Sequence, residues 1–561
     1  MKKTALIAMA LGAAVGAIGA ATPLLAQVTE TPIAPVETQG GLIAGKVLDS
    51  GVRAWFGVPF AKPPINDLRW MPPQPMSWKG VWTADRKMPE CMQVLRPHNM
   101  NHYFGEEATS ENCLYLNIWA PPGSKVTDKL PVIVFIYGGG GTIGSASSPM
   151  YDGENMAKKG VVFVTIAYRV GILGWMAHPE LTKEQGGHSG NYGYLDQNAA
   201  LKWIHANIGR FGGDATHVMI SGQSAGAGSV AAQMHSPLSK GLFSSAMMSS
   251  TCSIGTPGTG TSLADAEKTG LEIQQRLGAH DLEDLRYVPA DKIVQLQNEN
   301  QLGYSINTGV RTGPITDGYF TPGSKEEMAK THQMSDVPFI GNFNSGESFS
   351  PLQKATTVAE YKEIAQKLYG ADAAAFLKLY PVASDADLRA VTAKVAREAA
   401  IANATRTCGV NQALYNKSAA YLDMFNHRYT FPPGVKIADV NTQTVGVYHN
   451  ADIPYWFGNL DIFNMFRKTR DLTADDRALS SEMQDMLVAF VKTGNPSTAQ
   501  VKWPAWTAKN DAFLDIGDHG IKVEAFNEKG MAFLAAHPVA GGRPGGGAGA
   551  PGVIAGAAPR D

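Results

Sequence analysis

Four cysteines in 561 residues are too few for a disulfide-stapled miniprotein or a zinc-finger array, so a hydrophobic core has to carry this chain. Charge of one sign is lacking as well. Lys and Arg total 48 against 50 Asp and Glu, which excludes a nucleic-acid binder that works by phosphate neutralisation and leaves no basic stripe for an anionic membrane. Past the first 26 residues no apolar run is long enough to cross a bilayer. No internal repeat or Gly/Ser-rich linker interrupts the stretch from about Gln27 to Pro538, which therefore reads as one domain with large insertions. Glycine and proline, by contrast, are plentiful at 60 and 33, and imply many turns and long loops.

The two ends differ from this body. Lys2 and Lys3 precede an apolar run from Ala5 to Ala21, and small residues suit cleavage after Ala21 or after Ala26. Residues 1–26 read as a secretory signal peptide, with an uncleaved anchor helix as the alternative, and the mature protein is expected to be soluble and secreted or periplasmic. From Gly541 to Asp561, sixteen of twenty-one residues are Gly, Ala or Pro. Such a composition buries too little surface to offset its ordering entropy, so residues 539–561 are expected to be a disordered tail.

Between the ends, short apolar runs at 131–137, 161–167, 217–221, 337–340 and 419–425 predict strands buried on both faces. Helical patterns at 198–208, 225–235, 263–277, 358–368, 386–400 and 475–492 alternate with them. The alternation predicts an α/β fold with a mainly parallel sheet and helices on both faces, in which catalytic groups gather at the carboxyl ends of the strands.

One such strand end carries a chemical signature. The run ending at Ser221 passes into Gly222-Gln-Ser-Ala-Gly226 and then a helical stretch, the strand–turn–helix setting in which a Gly-x-Ser-x-Gly turn lifts its serine above the sheet. Ser224 is the candidate nucleophile. Upstream, the 131–137 run ends in Gly138-Gly-Gly-Gly141, where bare backbone N–H groups can turn toward one point. Gly139 and Gly140, with the amide of Ala225, are the candidate oxyanion hole. A phosphate cradle is excluded because no Gly-Lys-Ser/Thr follows.

These residues resemble the type-B carboxylesterase/lipase family, which includes the cholinesterases. The likeness runs from about Gly51 to Trp506 through Phe56-Gly-Val-Pro-Phe-Ala-Lys-Pro-Pro64, Leu68-Arg-Trp70, Glu111–Trp119, Gly190-Asn-Tyr-Gly-Tyr-Leu-Asp-Gln197 and Phe211-Gly-Gly-Asp214. The resemblance implies an α/β-hydrolase fold and a triad in the order Ser, Glu, His. It assigns the acid to Glu347, in the segment from Val337, and the base to His449, within Gly446–Gly458. Gly346 and Ser348 stand where the family usually has Asp and Gly. Cys91 and Cys113 match the family's first disulfide; Cys252 and Cys408 either pair or remain buried thiols.

The resemblance thus implies a carboxylic ester hydrolase acting through an acyl-enzyme on a small-molecule ester, with no cofactor, metal or partner protein required. His98 and His102 have the spacing of a helical metal pair, but nothing else in the sequence supports a metal. A lipase acting at an oil interface is the alternative within catalysis; the loop closed by Cys91 and Cys113, with His98, Asn99, Asn101, His102, Glu106 and Glu107, is polar for an interfacial lid. A non-catalytic binding module is the alternative from another class, against which the retained Ser224, Glu347 and His449 argue. Gln223 replaces the family's usual Glu before the nucleophile, which disfavours a cationic substrate. Tyr137, Gln223, Phe343 and Trp456, with Phe349 and Tyr455 nearby, are candidates to line a pocket for neutral or aromatic esters.

Overall fold

The computed structural model describes residues 31–95, 108–258, 260–298 and 309–539. The expected signal segment, the 541–561 stretch and residues 96–107, with His98, His102 and their polar neighbours, lie outside the described residues.

A continuous apolar run cannot leave either face to water, so such runs pair in the middle of a sheet. The principal strands are β1 (Arg53–Pro59), β2 (Tyr115–Ala120), β3 (Leu130–Ile136), β4 (Val162–Ile166), β5 (Gly213–Gln223), β6 (Ser245–Ser249), β7 (Phe339–Asn344), β8 (Ala420–Asn426), β9 (Ala512–Gly517) and β10 (Gly520–Ala525). In space they run β1-β2-β4-β3-β5-β6-β7-β8-β9-β10, and two short strands, Thr31–Pro32 and Lys46–Val47, complete a 12-stranded sheet at the β1 edge. From β4 to β9 every pairing is parallel, while the edges are antiparallel. Helices cover both faces, as the alternating pattern requires.

The main helices are α1 (Tyr192–Asn207), α2 (Ala225–His235), α3 (Leu263–Leu277), α4 (Val358–Tyr369), α5 (Leu388–Ala399), α6 (Ile401–Tyr415) and α7 (Ala474–Thr493). Their ends follow local chemistry. The Ser262 hydroxyl accepts the Asp265 N–H at the start of α3, and Gly278 closes it in the left-handed conformation. Thr473 and Asp476 form a capping box on α7, and Gly494 terminates it.

Strands β1, β2, β6, β9 and β10 and helix α6 go beyond the elements expected from the sequence. Strand β6 shows why: Ser-Ala-Met-Met-Ser has no β-branched residue, and its extended form comes from burial between β5 and β7. Disulfides join Cys91 to Cys113 and Cys252 to Cys408; the second ties the segment after β6 to α6 and settles the pairing the sequence left open. Among the described residues no helix is long and apolar enough to cross a membrane.

Candidate active site

Strand β5 ends at Gln223 and α2 begins at Ala225, which leaves Ser224 alone at the turn with φ 57° and ψ −124°. A non-glycine residue held there costs about 1–3 kcal/mol, so the surroundings must impose it. The flanking glycines explain how. A Cβ on Gly222 would sit 2.4 Å from the Gly226 carbonyl oxygen, and one on Gly226 would sit 2.1 Å from that of Ile136, so only bare backbone lets the turn close this tightly. The Ser224 N–H donates to the Ser249 carbonyl at 2.8 Å, fixing the turn to β6. Ser224 and Ala225 are half-buried, at the positive end of α2.

The glycine run leans on this turn. A Cβ on Gly138 would meet the Gln223 carbonyl oxygen at 2.5 Å and the Ser224 Cβ at 3.0 Å. Gly139, Gly140 and Gly141 follow at φ 113°, 66° and 73°, conformations open to glycine. The Gly141 carbonyl is pinned by the Trp175 indole at 2.6 Å and the Gly171 N–H at 2.8 Å. Among the described residues no hydrogen bond takes up the N–H groups of Gly139, Gly140 or Ala225.

The acid and the base arrive on two further loops. Beyond β7 the Gly346 N–H donates to the Val447 carbonyl at 3.0 Å, and a Cβ on Gly346 would sit 2.6 Å from that oxygen. Gly346, where the family usually has Asp, therefore lets the two loops touch. The Glu347 carboxylate, 3% exposed, accepts the Asn344 N–H on Oε1 at 2.8 Å and lies 2.6 Å from His449 Nδ1 through Oε2. On the other side of the ring, His449 Nε2 lies 3.1 Å from Gln223 Nε2, which brings the imidazole to the residue preceding Ser224. Burial works against an imidazolium here, but the hydrogen bond and charge of Glu347, joined by Asp452, outweigh it and hold His449 above its ordinary value.

Sequence reasoning missed the polar groups behind this pair. Asp452, fully buried, accepts the Ser249 hydroxyl at 2.6 Å and the Asn344 amide at 2.9 Å. Burial pushes its carboxyl up to about 6. The available signal was position: a carboxylate three residues after His449, between the apolar Ala451 and Ile453.

Three of the candidate pocket residues have core partners. Tyr137 is 1% exposed, stacks on Tyr168 and donates its hydroxyl to the Tyr168 carbonyl at 2.9 Å. Phe343 packs on Phe513, and Trp456 stacks on Trp503. Their size and apolarity are spent on packing, and of the four only Gln223 touches the His449 ring among these contacts. Phe349, two residues past Glu347, is instead 69% exposed. Among the described residues no group of three or more His, Cys, Asp or Glu is placed to hold a metal ion.

A serine on a strained turn, a glycine run beside it and a histidine–glutamate pair reaching the same turn are the parts that acyl transfer needs. The sequence profile of the Carboxylesterase family matches residues 32–534. The chain is 35% identical over 505 residues to the fumonisin B1 esterase of Sphingopyxis macrogoltabida, covering 88% of each chain. It is 31% identical over 480 residues to the para-nitrobenzyl esterase of Bacillus subtilis (strain 168), covering 84% of this chain and 92% of that one. A solved structure of a PNB esterase superposes with a TM-score of 0.71 at 29% identity, covering 89% of this chain and 99% of the other, and shares the α/β-hydrolase fold. The chain belongs to the carboxylesterase family and is a carboxylic ester hydrolase.

Proposed function

We propose that this esterase works by two-step acyl transfer on Ser224. His449 removes the hydroxyl proton as Ser224 attacks the ester carbonyl, then returns it to the leaving alcohol; water repeats the sequence on the acyl-enzyme. Glu347 orients the imidazole and stabilises its cation, and the amides of Gly139, Gly140 and Ala225 hold the oxyanion. The observation that carries this reading is the 2.6 Å contact of His449 Nδ1 with Glu347, on a ring whose other nitrogen reaches the residue beside Ser224.

The preferred substrates are neutral or aromatic esters. Gln223 leaves no negative charge beside the nucleophile to attract a cationic ester, and one relative is named for an ester of an aromatic alcohol. The mature enzyme acts outside the cytoplasm after removal of residues 1–21 or 1–26, a setting in which its two disulfides persist. Stoichiometric labelling of Ser224 by a serine-directed organophosphate, with matching loss of aryl-ester hydrolysis, tests the nucleophile; labelling at another serine overturns it. N-terminal sequencing of the exported protein tests the leader.

A further inference from the structure

Four parallel strands place one residue each in a single row that starts at the carboxyl ends of β5 and β6 and continues inside β7 and β8: Gln223 is in register with Ser249, Ser249 with Asn342, and Asn342 with Asp423. Side chains in register on neighbouring strands project to the same face. At one end of the row Gln223 meets His449. The other three residues continue as a hydrogen-bonded chain. Asp423 Oδ2 lies 2.5 Å from the Asn342 amide, that amide lies 2.8 Å from Ser249 Oγ, and Ser249 Oγ lies 2.6 Å from Asp452 Oδ2. Asp423, Asn342 and Asp452 are 0% exposed and Ser249 is 1% exposed, so the direct links are shielded from bulk water.

Three links need three hydrogens, and two ionised acids leave only two. With Asn342 Nδ2 toward Asp423, the one hydroxyl hydrogen of Ser249 must serve both Asn342 Oδ1 and Asp452 Oδ2. With the amide turned end for end, which changes no shape, Asn342 donates to Ser249 and Ser249 donates to Asp452. The link to Asp423 is then empty unless Asp423 itself carries a proton. In either direction the third hydrogen is a carboxyl proton.

The surroundings decide which acid keeps it. Asp452 has a donor at each oxygen, Ser249 at Oδ2 and the Asn344 amide at Oδ1. Among the described residues Asp423 Oδ1 has no partner. Ionising Asp423 would bury a charged oxygen without a donor, the more costly choice. Burial accordingly lifts Asp423 well above the carboxylate range.

We propose that Asp423 is a neutral carboxylic acid and the donor end of a one-way chain, Asp423 to Asn342 to Ser249 to Asp452, that holds an ionised Asp452 beside Glu347 and His449. Asp423 is then a positioning residue that acts through Asp452. The titratable groups that face this chain are Glu347, His449 and Tyr429; the Asn344 backbone N–H binds Glu347 while its side chain binds Asp452. The kinetic consequence rests on the acyl-transfer reading, whereas the protonation state does not.

Infrared spectroscopy and pH–rate profiles of Asp423→Asn and Asp423→Leu test this. At neutral pH the wild-type protein should show the carbonyl stretch of an un-ionised carboxyl that Asp423→Asn lacks. Because its amide supplies the same hydrogen, Asp423→Asn should keep the wild-type kcat/KM profile. Asp423→Leu leaves the Asn342 carbonyl oxygen without a donor, so the amide turns that oxygen to Ser249 and draws its hydroxyl hydrogen away from Asp452; the acid limb should then move about one pH unit lower, with kcat down about tenfold and KM little changed. A carboxyl band that survives in Asp423→Asn, an Asp423→Asn profile displaced as far as that of the leucine variant, or a leucine profile that does not move overturns the proposal. Should the leucine variant fail to fold, the band and the Asp423→Asn profile decide. The band also stands if Ser224 proves not to be the nucleophile.

Discussion

Nδ1 of His449 lies 2.6 Å from Oε2 of Glu347 across a sequence separation of 102 residues. A contact this short to a buried carboxylate favours the charged imidazole, which is why His449 sits above its ordinary 6.5. The base must be neutral to accept the Ser224 proton, so kcat/KM should fall as pH drops through a value above 6.5. The pair's contribution to stability has the opposite sense: it is fully present below the unfolded pKa and is lost as pH rises through the folded one. In Glu347→Gln the acid limb should move to lower pH and kcat should fall about 10³-fold or more, measured with an activated aryl ester.

Ser224→Ala and His449→Ala should each lower kcat by about three to six orders of magnitude with the fold retained, because neither nucleophile nor base works alone. Circular dichroism and the thermal midpoint check the fold. Relief of backbone strain is not expected from the alanine, since Ser224 and Ala share the same positive-φ penalty at this turn. Near-wild-type turnover by either variant, with contamination excluded, would remove the triad assignment.

Local signals carried some elements to the residue. Helices α2 and α3 begin and end where the pattern places them, because the Ser224 turn, the Ser262 cap and Gly278 are all written in neighbouring residues. The candidate triad positions were legible only through ordered motifs, since nothing local distinguishes Glu347 from other loop carboxylates. Strand β6 was not legible, its extended form being imposed by its neighbours. The row Ser249, Asn342 and Asp423 was hidden for a similar reason: register across β6, β7 and β8 joins residues 93 and 81 positions apart, and no local pattern encodes that alignment.

The two disulfides offer a comparison at different loop lengths. Cys91–Cys113 spans 22 residues and Cys252–Cys408 spans 156. On the loop-entropy model these contribute about 3 and about 5 kcal/mol respectively. Replacing Cys252 and Cys408 together by Ser should therefore lower denaturant stability more than replacing Cys91 and Cys113. Equal losses, or the reverse order, would show that native-state packing around each bridge outweighs chain entropy.

Gln223 offers the sharpest single substitution near the base. Its side chain is buried, with Nε2 3.1 Å from His449 Nε2. An amide N–H directed at Nε2 needs the lone pair there, which leaves the ring hydrogen on Nδ1, facing Glu347. That is the tautomer ready to take the Ser224 proton. In Gln223→Glu a carboxylate at this position can only accept, so it favours a protonated Nε2 and the imidazolium, and it adds a negative charge beside the developing oxyanion. The acid limb of kcat/KM should then move about one pH unit higher, and turnover of neutral esters at neutral pH should fall. Cationic esters should lose less, because the same charge attracts them, so their kcat/KM relative to neutral analogues should rise. Parallel pH profiles on one cationic and one neutral ester of matched acyl group separate these effects. An unmoved limb together with an unchanged ratio would mean that the amide serves the turn's packing and leaves the electrostatics of His449 to Glu347 and Asp452.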